Sequence, residues 1–140
     1  MENNQRKNSC KTYFTITGDF NANEIIQKLG IVPDKAWNKG EINKRTNRPY
    51  NFSRVSVGTV VCDSQKFPYR QAEETIRLIQ DKKDVIIEIV KTYKNLNVSL
   101  VIVPEIEDKY NKPVLSPTKK VMDFCNEIGA EIDVDYYLYF

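Results

Sequence analysis

The segment Asn97–Pro104, NVSLVIVP, constrains the fold more than any other stretch of this chain. Leu100, Val101, Ile102 and Val103 are successive apolar residues, so the segment has no polar side to offer water. A strand sends alternate side chains to opposite faces. A run like this therefore predicts an interior strand of a sheet, buried on both faces. The rest of the chain must supply its neighbours and its cover.

Three further segments read as strands. Thr12–Gly18 (TYFTITG) is rich in β-branched and aromatic residues, with Phe14 and Ile16 on one side and Tyr13, Thr15 and Thr17 on the other. Phe52–Cys62 (FSRVSVGTVVC) alternates at Val55, Val57, Thr59 and then Val61, and Gly58 marks a bulge or a close approach. Ala130–Phe140 alternates Ile132, Val134, Tyr136 and Leu138 against Glu131, Asp133, Asp135, Tyr137 and Tyr139. Pro113–Leu115 is a candidate short return strand.

Helices supply the cover. Asn21 is an expected N-cap with Glu24 three residues on. Ile25, Ile26 and Leu29 then form a stripe, Gly30 is the expected C′ residue, and Pro33 follows. Phe67–Asn95 is helical, opening on Pro68, with Tyr69, Ala72, Ile76 and Ile79 on one stripe and Ile86, Val90 and Tyr93 continuing it. QDKK at residues 80–83 holds no apolar residue, so two helices joined there are expected. The last helix takes Ser116 as N-cap, Pro117 at its first position, Val121, Cys125 and Ile128 as its stripe, and Gly129 as its end. Asp34–Pro49 is polar, basic and turn-rich. It reads as a long ordered loop with a short strand at Trp37, the kind of loop that is often functional. The order β-α-β-α(α)-β-(β)-α-β predicts a single layered α+β domain, a mixed and mainly antiparallel sheet covered by helices. The expected organisation is a flexible polar arm over residues 1–10 and one domain over 11–140.

A chain of 140 residues is long enough for one real core. With 41% hydrophobic and 29% charged residues it is not a disordered chain, a coiled coil or a collagen-like repeat. No run of 18 apolar residues occurs, so no membrane span is expected. The polar start, with no apolar stretch, predicts no signal peptide and a cytoplasmic location. Cys10, Cys62 and Cys125 are widely spaced, and the chain has no histidine, so the pattern is not that of a zinc site. Reduced thiols are the expectation, and no cofactor is expected.

The net charge of +2 is too small to imply nucleic acid as a partner, and none is expected. The charge is nevertheless polarised along the chain. Lys35, Lys39, Lys44, Arg45, Arg48 and Arg54 stand against Glu41 alone, whereas Asp123, Glu127, Glu131, Asp133 and Asp135 have no base after them.

Two arrangements in the sequence point to a known family. The opening TYFTITGDFNANEIIQKLGIVPDKAWNKGE combines an aromatic strand ending in glycine, a helix closing in Leu-Gly, a proline, and the segment Trp37-Asn38-Lys39-Gly40-Glu41. The ending combines a helix closing at Ile128-Gly129 with AEIDVDYYLY. Together, over residues 12–139, these resemble the bacterial Domain of Unknown Function 4279 family. The resemblance implies no established activity. Its loose association with toxin-immunity loci is an analogy of neighbourhood only.

Three candidate functions follow from the residues. The lead expectation is a non-catalytic binding protein, an immunity-like or regulatory protein–protein module, using the strand of Glu131, Asp133, Asp135, Tyr137 and Tyr139, the Trp37 loop, or both. The alternative is a binder of an anionic, nucleotide-like small molecule. There Trp37 stacks on a ring, Lys39, Lys44, Arg45 and Arg48 hold its phosphates, and Gly40 lets a backbone N–H approach. A minor third is a metal-dependent enzyme using Asp133 and Asp135. Without histidine, Ser-His-Asp and Cys-His arrangements are impossible within this chain, and no P-loop, GxGxxG or GxSxG occurs.

Overall fold

A computed structural model describes residues 8–63 and 66–140. Its main sheet is built on β1 (Ser9–Gly18), flanked on both sides by antiparallel strands, β5 (Ser53–Cys62) and β6 (Asn97–Ile106). One edge is β2 (Lys35–Trp37), antiparallel to β5. The other edge is β7 (Glu131–Val134) followed by β8 (Tyr137–Leu138), both parallel to β6. The protein is a single α+β domain whose mixed sheet is mostly antiparallel. The strand NVSLVIVP is interior, as its composition requires.

Among the described residues four α-helices lie on one face only: α1 (Ala22–Leu29), α2 (Pro68–Ile79), α3 (Lys83–Thr92) and α4 (Lys119–Ile128). Phe14, Ile16, Val55, Val57, Leu100 and Ile102 meet Ile25, Leu29, Ile76, Ile79, Ile86, Val121 and Ile128 in a continuous core. Each fully buried side chain of this kind contributes roughly 1.5–3 kcal/mol. The opposite face carries no helix among the described residues. Val101 and Val103 are buried there all the same, with Thr15 and Ser56. Long side chains of that face, rather than helices, must shield them. Burial of the interior strand on both faces therefore holds, but only one face has helical cover.

Local signals in the sequence explain the element ends. Asn21 Oδ1 accepts from the backbone N–H of Asn23 (3.0 Å) and of Glu24 (3.3 Å), and Gly30 ends α1 in the left-handed region at φ +65°. A 3-10 turn at Gln80–Lys82 separates α2 from α3 at the apolar gap. Just beyond it, Lys83 pairs with Glu127 of α4 at 2.8 Å. Gly58 sits at a bulge: Thr12 faces Val60 and Phe14 faces Val57, so β5 holds one extra residue. There α2 comes close, and Thr75 Oγ1 donates to the Gly58 carbonyl at 2.7 Å.

The structure corrects several expectations. Ser9 and Cys10 belong to β1, and Cys10 is in the core, so they are not part of a flexible arm; residues 1–7 of that arm lie outside the described residues. Asp34–Pro49 is not one loop. It holds β2 and a small hairpin of β3 (Ile42–Asn43) and β4 (Arg48–Pro49). No strand forms at Pro113–Leu115, where a single bond from Val114 N to the Lys66 carbonyl (2.8 Å) links the segment to the chain before α2. Pro113 has no N–H to continue a ladder. Thr118, not Ser116, caps α4, accepting from Val121 N at 3.4 Å. Proline sets only its own φ, a value shared by helix and extended chain, so Ser116-Pro117 does not by itself start a helix. The final strand is interrupted at Asp135–Tyr136, but its register with β6 is unchanged, with Ser99 opposite Glu131 and Glu105 opposite Tyr137.

Candidate functional site

The helix-free face carries Trp37 at one edge and the acidic, aromatic last strand at the other. The basic half of the chain supplies the β2–β5 edge and the acidic half supplies the β7–β8 edge. Neither half faces the other.

At the first edge Lys35 lies opposite Ser56, and Trp37 opposite Arg54. The two-residue strand period puts Lys35 and Trp37 on one face. The indole is already held there. It stacks on Tyr50 with centroids 4.2 Å apart and planes 10° apart, and its Nε1–H donates to the Phe52 carbonyl at 3.0 Å. The Arg54 guanidinium lies over the ring 5.3 Å from its centroid and 5.7 Å from that of Phe52. Trp37 is half-buried and forms a wall rather than a free stacking platform.

The cations expected around Trp37 do not gather there. Lys39 Nζ turns to Asp19 at 3.5 Å, and its backbone N–H donates to Ser53 Oγ at 2.9 Å. Gly40 is at φ +91°, but its N–H is taken by the Tyr50 carbonyl at 2.9 Å, so it is not free to approach an anion. Lys44 and Arg45 ride the exposed hairpin turn, where Arg45 N donates to Asn43 Oδ1 at 3.0 Å. Arg48 is on β4 beside a shallow hollow with Thr46, Pro49 and Asn51. Lys44, Arg45 and Arg48 thus belong to the β3–β4 hairpin, a two-stranded sheet of its own whose turn has Asn47 left-handed at φ +57°.

Other cations replace them. A cavity of about 270 Å³ beside Trp37 is lined by Lys11, Tyr13, Lys35, Arg54 and Thr59, with Asp34 as its one acid. The Asp34 carboxylate accepts the Thr59 N–H at 2.9 Å. Arg54 Nη1 donates to Thr15 Oγ1 at 3.3 Å, whereas Arg54 Nε is buried without a protein partner. A buried charged donor left in that state is costly unless something accepts from it. Sequence reasoning missed Lys11 and Arg54 because cross-strand register brings them to Trp37. Lys35 was legible, two residues before Trp37.

At the other edge Glu131, Asp133, Asp135, Tyr137 and Tyr139 are all exposed, Tyr137 at 46% and Tyr139 at 57%. Tyr137 donates to Asp135 Oδ2 at 3.2 Å. The Asp135 charge, and then this hydrogen bond, hold the Tyr137 hydroxyl above its usual ionisation range. Tyr136, Leu138 and Phe140 are also about half exposed. A hollow of about 340 Å³ joins Asp135 and Tyr137 to Lys11, Tyr13 and Val61 at mid-sheet. Among the described residues no three carboxylate, thiol or imidazole groups converge as metal ligands, Asp133 and Asp135 included. No helix among the described residues is long and apolar enough to cross a membrane.

This arrangement can hold an anion at one edge and a cationic surface at the other. Among known proteins, the family model described as "Domain of unknown function (DUF4279)" matches residues 8–139. No curated protein and no solved structure matches the chain.

Proposed function

The chain belongs to the DUF4279 family, a domain of unknown function, and we propose that it is a non-catalytic binding protein for an anionic small molecule held beside Trp37. One observation carries this reading. Arg54 presents a buried, unpartnered Nε next to a concave cavity that it shares with Lys35 and Lys11. Three cations against one occupied carboxylate make the cavity attractive to phosphate or carboxylate. Its volume is near the lower end of ligand pockets, which suits a ligand no larger than a nucleoside monophosphate. The groups that hold the anion are thus Arg54, Lys35 and Lys11, in place of Lys39, Lys44, Arg45 and Arg48.

Trp37 is the only tryptophan, so its fluorescence reports on this one place. Titration with inorganic phosphate and nucleoside monophosphates is expected to give a saturable change. Lys35→Ala, at an exposed position, abolishes it. Lys44→Ala, on the hairpin, leaves it intact. A spectrum insensitive to every anion, or a response unchanged in Lys35→Ala, overturns the reading.

A second reading rests on the half-exposed run Tyr136–Phe140 beside Asp133 and Asp135. An acidic and aromatic edge suits a basic protein partner, as an immunity-like or regulatory interaction module requires. Its test is capture of a basic protein that weakens with salt and is lost in both Asp133→Asn and Tyr137→Ala. Capture that survives both substitutions refutes it.

A further inference from the structure

Cys10 and Cys62 stand directly opposite each other in the antiparallel β1–β5 pair. Residues placed in this way share a face of the sheet. Their Cα atoms are about 4.5 or 5.5 Å apart, depending on the kind of pair. A disulfide accepts Cα separations of about 4.4–6.8 Å, so either kind can be bridged without moving the strands. Both thiols are free, Cys10 in the core and Cys62 half-buried. Cys125 sits on another element, α4, and is not part of this pair.

We propose that Cys10 and Cys62 form an oxidant-responsive disulfide site, with a hydroperoxide as the oxidant. The two cysteines divide the work according to their surroundings. Cys62 is the more accessible and meets the peroxide, its thiol proton going to the departing oxygen. An S–O bond forms, the O–O bond breaks, and the leaving oxygen departs as water or alcohol, giving sulfenic acid on Cys62. The Cys10 sulfur then attacks the Cys62 sulfur. The S–S bond forms, the S–O bond breaks, and hydroxide leaves with the Cys10 proton as water. Two thiols and one hydrogen peroxide become one disulfide and two waters. Cys10 is kept out of the first step by its burial and enters the second by its position, directly opposite Cys62. Burial foremost, then the neighbouring Cys62, pushes its ionisation up to about 12, so it stays a thiol while Cys62 meets the oxidant.

The bridge joins the start of the sheet's middle strand to the end of β5, just before the chain leaves for α2. Lys11 and Val61, the next opposed pair, point to the helix-free face and line the mid-sheet hollow. Oxidation therefore also fixes the spacing of two residues of that surface. The inference is independent of what binds beside Trp37.

The test uses the intact folded chain with hydrogen peroxide, read by intact mass, non-reducing peptide mapping and thermal unfolding. The expected result is loss of two hydrogen masses, a Cys10–Cys62 peptide pair, and free Cys125. The bridge closes a long loop, so the melting midpoint should rise by roughly 10 °C and fall back on reduction. Cys125→Ala keeps both signatures. Cys62→Ser, at a half-buried position, loses both while keeping its circular dichroism spectrum. Oxidation of the folded protein that stops at Cys62 sulfinic acid, or that yields only Cys62-linked dimers with Cys10 free, overturns the proposal. So does a bridge that forms only in denaturant.

Discussion

Gly58→Ala tests whether the β5 bulge exists to let α2 sit close to the sheet. Two costs can be worked out separately. Gly58 is at φ +69°, where an L side chain costs roughly 1–2 kcal/mol. A Cβ there would also lie 3.3 Å from Ile79 Cγ2, 3.3 Å from Thr75 Cγ2 and 3.4 Å from the Thr75 carbonyl oxygen. Overpacking of that kind typically adds about 1–3 kcal/mol. The sum is about 3 kcal/mol, or a fall in melting midpoint of roughly 10 °C for a domain of this size. Gly40→Ala is the matched control. It has φ +91° but nothing within 4 Å of a built Cβ. It should lose only the backbone share, about 1–2 kcal/mol. Urea unfolding of both variants, with unchanged m-values, gives the two losses. Equal losses would refute the reasoning, because the close approach of α2 would then contribute nothing.

Two other outcomes follow from the same core and surface. Thr75 Oγ1 donates to the Gly58 carbonyl at 2.7 Å and lies 2.9 Å from Thr12 Oγ1, so Thr12 must be the donor in that second contact. Thr75→Val should therefore cost about 2–4 kcal/mol, leaving the part-buried Gly58 carbonyl and the buried Thr12 hydroxyl unpaired, whereas Thr12→Val should cost about 1 kcal/mol or less; denaturant midpoints decide, and equal values would mean that the donor order is wrong. Tyr93 donates to Glu24 Oε1 at 2.7 Å, and this bond, chiefly, pushes its ionisation up to about 12 from 10.0. The proton is held more tightly in the folded state, so the stability it contributes is present below pH 10 and is lost as pH rises toward about 12. Tyrosinate absorbance should show one hydroxyl fewer titrating late in Glu24→Gln than in the wild type; an unchanged titration would show that the bond does not persist in solution.

The candidate site divides in the same way between local and distant causes. Lys35 and Trp37 are two residues apart on one strand, so their common face follows from strand geometry alone. Arg54 reaches Trp37 from across a strand pair, and Lys11 reaches the cavity from a third strand. Lys39, Lys44, Arg45 and Arg48 are close to Trp37 in the chain, yet Lys39 turns to Asp19 and the β3–β4 hairpin holds the other three. Nearness in sequence was a poor guide because the Asp34–Pro49 segment folds into its own small sheet. The acidic and aromatic strand was more legible: its alternation puts Glu131 and Asp133 on one face, and the register kept with β6 across the break puts Tyr137 there too.

What the chain determined by itself are the features that depend on residues within a few positions of each other. These are the strand at Asn97–Pro104, the Asn21 and Gly30 caps, the α2–α3 break at residues 80–83, and the bulge at Gly58. Each is a local balance of side-chain period, backbone freedom and hydrogen-bonding groups, and it can be read wherever that balance is one-sided. The tertiary structure alone decided that the helices cover one face and leave the other open. It alone set Cys10 opposite Cys62, and Arg54 opposite Trp37. Register is the reason. Antiparallel pairing joins residues tens of positions apart, and a one-residue slip would send every side chain to the other face. That choice is made by the whole core at once, through the packing of Phe14, Val57 and Leu100 beneath the helices.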